Sequence, residues 1–198
     1  MALDGQKLIF PRFLPEVVMA AAVGPLRGVS SAASKQGPDR DTIIRLIDEV
    51  YRGPAWHGPS VRACLRGVDH VAATWRLGPK RNTIWDLALH LAYARHRVLG
   101  RLVTKPIARF PRKLRASWWP VTPTDQSASA WAADLELLET FHSRLLQAIA
   151  DAPASSLRRV RSGKNFTVAH ELLNVATHDT YHAGQIRLLA LTAADSRP

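Results

Sequence analysis

Apolar residues recur every three or four positions through four long stretches of this chain, and no run of two-residue alternation interrupts them. A stripe at helical spacing can be hidden from water only against another such stripe, so the pattern confines the chain to packed helices. The spacing predicts helices over about 41–51 (Ile43, Ile44, Ile47, Val50), 83–104 (Leu87, Leu91, Ala94, Val98), 125–150 (Trp131, Leu135, Leu138, Leu145, Ile149) and 167–192 (Val168, Leu172, Val175, Ile186, Leu189). A shorter segment after Pro59 carries Val61, Leu65, Val68 and Ala72. The expected fold class is all-α, with strands absent and a long Pro-, Arg- and Trp-rich loop from Pro106 to about Pro123 between the second and third long helices. Four such helices suggest a four-helix bundle, whose core can host a metal through facing side chains.

The chain has 198 residues, enough for one domain with its own core. A small, polar stretch ending in Gly37-Pro38 places the start of that domain near Asp39, giving an N-terminal extension over 1–38, loosely ordered or partly helical, and a bundle over 39–194. The apolar piece at 13–26 is too short to span a bilayer, and Pro15 and Glu16 argue against an export signal. The expected location is therefore cytoplasmic, with Met19 a second candidate start. A single cysteine, Cys64, excludes an internal disulfide and a cysteine-rich zinc module, leaving nitrogen and oxygen as metal ligands. The net charge of +11 is scattered along the chain, which favours a solvated basic surface over a nucleic-acid interface. The nearest thing to a patch runs from Arg109 to Arg115 and on to Trp118-Trp119, without an accompanying nucleic-acid motif.

The chemistry sits in the stretch ATHDTYHAGQIRLL, residues 176–189. His178 and His182 are four apart, so on a helix they share a face one turn apart, and that face also carries Val175, Ile186 and Leu189. Two inward imidazoles without partners are costly, and a metal ion is one way to satisfy them; hydrogen-bonded core histidines are the other. An open metal site needs a third ligand. His90 lies on the apolar stripe of the second long helix and His142 on that of the third, and spacing leaves them tied; His96 and His170 are turned away.

The segment from His178 to Ile186 resembles the HDxYHxGQI signature of the DinB/YfiT-like proteins, and Thr83-Ile-Trp-Asp-Leu-Ala-Leu-His-Leu91 is similar to the family segment that ends in a metal-binding histidine. With the loop Gly53-Pro-Ala-Trp-His-Gly-Pro-Ser60 the resemblance covers about 39–192. It implies a DinB-like four-helix bundle, a ligand triad of His90, His178 and His182, and zinc or nickel as the divalent metal. It also implies thiol-dependent transferase or isomerase chemistry on a small-molecule substrate with a low-molecular-weight thiol. A metal-dependent hydrolase is the alternative enzyme, and a non-catalytic, stress-related metal or ligand binder the alternative class. We expect a homodimer with no membrane or nucleic-acid partner.

Around the triad, spacing nominates Asp86, one turn before His90, and Asp179 as carboxylates that orient an imidazole. Tyr181 and Gln185 flank the histidine pair. His142 becomes a pocket or core residue, Trp56 and His57 are expected at the pocket rim, and Gly184 is read as allowing a close helix approach.

Overall fold

A computed structural model describes residues 38–103 and 105–196. The extension expected over 1–38, Pro38 excepted, and the alternative start at Met19 lie outside the described residues. The four stretches with apolar stripes form four long helices: α1 (Arg40–Arg52), α4 (Ile84–Leu102), α5 (Ala128–Asp151) and α7 (Val168–Asp195). Three short helices, α2 (Val61–Leu65), α3 (His70–Thr74) and α6 (Ala154–Arg158), fill the connections. The chain is all-α, as the spacing predicts. No described helix is long and apolar enough to cross a membrane.

Each long helix starts where a short polar side chain can satisfy its free backbone donors. Asp39 accepts from Thr42 N at 2.8 Å, Ser127 from Ala130 N and Thr167 from His170 N. Thr83 and Asp86 form a reciprocal capping box at the head of α4. Thr83→Ala should therefore cost about 1 kcal/mol of folding stability, read from chemical denaturation.

The predicted stripes pack as a core. Ile43 and Ile47, Leu91, Leu138, Leu145 and Ile149, and Leu172 and Ile186 are fully buried, each worth roughly 1.5–3 kcal/mol of transfer free energy. Ile44, Leu135 and Leu189 on the same stripes are only half-buried. α4 is the central element: every residue from Ile84 to Arg95 is buried, and the helix packs chiefly on α5 and also on α7. α1 closes the bundle against α7 and α5.

The segment after Pro59 divides into α2 and α3, with Arg66 extended at the end of α2, Gly67 at φ +77° in the left-handed region and Asp69 capping α3. One expectation needs correcting. The expected absence of strands fails locally: the long loop between α4 and α5 contains a two-stranded hairpin, β1 (Leu114–Ala116) with β2 (Trp119–Pro120). Strands of three and two residues are too short for alternation to register in sequence.

Candidate metal centre

α4 and α7 lie against each other, and their contact brings three histidines to one point. His178 and His182 come from successive turns of one face of α7; His90 comes from the facing side of α4. His178 Nε2 lies 2.9 Å from His90 Nε2 and 3.1 Å from His182 Nε2. His90 and His182 are buried, at 7 % and 6 % exposure, whereas the His178 side chain is 32 % exposed and leaves the cluster open on one side.

The outer nitrogens decide what the inner ones can be. His90 Nδ1 is 2.7 Å from the backbone oxygen of Trp118. A carbonyl can only accept, so Nδ1 carries the proton and Nε2 presents a lone pair. The Trp119 ring stacks on the His90 ring, with centroids 4.2 Å apart and planes 13° from parallel. His182 Nδ1 donates to Gln185 Oε1 at 2.6 Å, and the Gln185 amide is held that way round by donating from its nitrogen to Tyr181 Oη at 3.2 Å. His182 Nε2 is thus a second lone pair aimed at the same place.

A single N–H on His178 satisfies only one of these lone pairs, and the other contact stays repulsive. A cation satisfies all three. Nitrogens bound to one ion at about 2.0–2.1 Å stand roughly 3 Å apart, which is the spacing of His178 Nε2 from each of its two partners. Carbonyl oxygens on the outer N–H groups are the usual supports of metal-binding imidazoles. Burial, aided by His178, pushes His182 down to about 4, and burial lowers His90 despite the Trp118 carbonyl, so both rings are neutral at pH 7 and in the form that binds metal. The residues present fit a divalent ion.

The other nominated residues divide. Gln185 orients His182, and exposed Tyr181 holds Gln185. Asp86 does not reach His90. Its Oδ2 accepts from Thr83 N at 2.9 Å and its Oδ1 from Thr122 Oγ1 at 2.9 Å, with Arg76 and Arg115 at 3.4 and 3.5 Å. It fastens the head of α4 to the loop behind the hairpin, because a carboxylate in the first helical turn points back to the free backbone donors. Asp179 is fully buried in an ion pair with Arg95, its Oδ1 3.9 Å from His178 Nδ1.

His142 stands apart from the cluster, as a core residue. Its Nε2 donates to Asp48 at 2.9 Å, Arg95 Nε faces its Nδ1 at 3.4 Å, and its ring stacks on Tyr51 at 3.9 Å. His57 and Trp56 do not form the expected rim. His57 Nε2 lies 3.4 Å from Thr180 Oγ1, and Thr180, midway between His178 and His182, points from the opposite side of α7. Trp56 is fully exposed. Gly184 also faces open space, not a neighbouring helix.

Sequence reasoning missed three contributors: Trp118, Trp119 and Arg95. The Trp-Trp pair was visible only as part of a basic and aromatic loop, and its role depends on the hairpin that returns it to α4. Arg95 carried a usable signal, a charge set among Leu91, Ala92, Ala94 and Val98, all of them buried.

Fold and site together define a helical-bundle protein with a tri-histidine cluster able to hold a metal ion between two facing helices. The family model of the DinB superfamily matches residues 57–186, which include all three histidines. The chain belongs to the DinB superfamily. No curated protein and no solved structure matches it.

Proposed function

We propose that the protein is a divalent-metal-dependent enzyme that joins a low-molecular-weight thiol to a small electrophilic substrate. The observation that carries this reading is the charge of the site. Its donors are three imidazoles, and the neighbouring carboxylate, Asp179, is already paired with Arg95. A divalent ion held by His90, His178 and His182 would keep its full charge for an incoming anion, and the chemistry it supplies is to hold a thiol as thiolate at neutral pH. Zinc and nickel both suit imidazole ligation.

In the reaction the sulfur bonds to the electrophilic carbon, the leaving group departs with its electron pair, and the thiol proton passes to solvent. The chain's own part is to hold the imidazoles through the Trp118 carbonyl and Gln185 and to leave the His178 side open for the two reactants. A hydrolytic reading is weaker because it asks for a general base near the ion. Asp86 is engaged at the helix cap and Asp179 in its ion pair. A purely structural site would close with a fourth protein ligand, and the cluster found among the described residues has three.

The test loads untagged protein with zinc or nickel and screens glutathione, mycothiol and bacillithiol against a panel of small electrophiles. We expect turnover that requires one thiol and disappears on chelation, with little change in melting temperature. Absence of turnover with every thiol, together with a sharp fall in melting temperature on chelation, would instead identify a structural metal binder.

A further inference from the structure

We infer that Arg95 is a positioning residue of the metal centre: by clamping the Asp179 carboxylate it fixes the oxygen toward which His178 turns its Nδ1, so that His178 presents Nε2 to the ion. The inference rests on the metal-binding reading above, in which the Arg95–Asp179 pair serves only as a neutralised charge, and gives that pair a positioning part.

Arg95 and Asp179 are both completely buried. Arg95 Nη1 donates to Asp179 Oδ1 at 3.2 Å and to the Leu91 carbonyl at 3.1 Å, and Nη2 donates to Asp179 Oδ2 at 2.5 Å. Its Nε faces His142 Nδ1 at 3.4 Å, and its Cζ lies 4.7 Å from the centre of the Tyr51 ring. His142 is in turn held by Asp48. All four long helices therefore contribute: Asp48 and Tyr51 from α1, Arg95 from α4, His142 from α5 and Asp179 from α7. A guanidinium bonded on every side cannot turn, and a carboxylate gripped at both oxygens cannot turn either.

What this rigidity serves is indicated by the neighbour. The outer nitrogens of His90 and His182 are on oxygens at 2.7 and 2.6 Å, whereas Asp179 Oδ1 stands 3.9 Å from the outer nitrogen of His178. A ring movement of about 1 Å makes that contact a hydrogen bond. All three imidazoles then carry their proton on Nδ1 against a fixed oxygen, the arrangement that orients metal-binding histidines. Stability alone does not call for the pair. Removing two charges from water costs more than their attraction returns unless the geometry is excellent, and apolar residues of similar size fill such space at least as well.

The double variant Arg95→Met/Asp179→Leu separates positioning from packing, because it leaves no unpaired charge. We expect metal-free protein that folds with a near-unchanged melting temperature but binds zinc 10–100-fold more weakly in competition with a chromophoric chelator. Independently of any variant, long-range proton–nitrogen correlation spectra of the zinc-loaded native protein should show His178 protonated at Nδ1 and ligated through Nε2. Native zinc affinity in the folded double variant, or ligation of His178 through Nδ1, overturns the inference. A native protein that binds no zinc or nickel instead removes the metal-binding reading itself.

Discussion

Replacing His90 by alanine is expected to leave the purified, untagged protein without bound divalent metal, while His142→Ala keeps it. His178 and His182 alone make a two-point clamp at an open site, and the third donor comes from a different helix. The loss should exceed the 10–100-fold that removal of an outer-shell partner costs. The control is informative because both ring nitrogens of His142 are engaged, one with Asp48 and one with Arg95, and neither is free for an ion. Elemental analysis of the two variants, with chelator competition for the affinity, checks the result. The opposite pattern would move the third ligand to α5.

Acid should destabilise the metal-free protein before its carboxylates are protonated. Burial, then the Arg95 charge, holds His142 down at about 4 against an ordinary value of 6.5. Between those values the unfolded chain takes up a proton that the folded chain refuses. The stabilisation is thus complete above pH 6.5, is lost as pH falls from 6.5 towards 4, and loses no more from this group below that. At 1.36 kcal/mol per unit the effect is about 3 kcal/mol.

Burial would raise the Asp179 carboxyl, but the Arg95 guanidinium beside it holds it below the usual carboxylate value. Its contribution disappears only at lower pH still. His90 and His182 add to the same slope when metal is absent, so the difference between native protein and His142→Gln isolates the His142 part. Denaturant titrations from pH 7 to 4 should show a shallower decline in the variant; equal slopes would mean that His142 is charged or hydrated in the fold.

Much of the architecture was legible in the residues. The four long helices follow from apolar spacing, and their starts from Asp39, Thr83, Ser127 and Thr167, each a side chain that caps by its own chemistry. Asp86 shows where such reading falls short. Its position one turn before His90 and its position three after Thr83 are both sequence facts, one suggesting an imidazole partner and the other a cap. The cap prevailed because the Thr83 N–H lies 2.9 Å from the carboxylate and the Trp118 carbonyl already occupies the outer nitrogen of His90.

The remainder needed the chain to close on itself. His90 and His142 each sit on an apolar stripe, and a stripe states that a side chain points inward without stating which helix it meets. The Trp118 carbonyl and the Trp119 ring reach His90 from 28 or more residues away, through a hairpin too short to leave a pattern. By itself the sequence determined the helices and the shared face of His178 and His182, because both express the 3.6-residue period of a single helix. Only the tertiary structure decided that His90 completes the cluster, that His142 belongs to the Arg95–Asp179 network, and that Trp118, Trp119 and Gln185 set the rings. Those outcomes depend on which helix faces meet, and that is chosen by packing among residues as much as 94 positions apart.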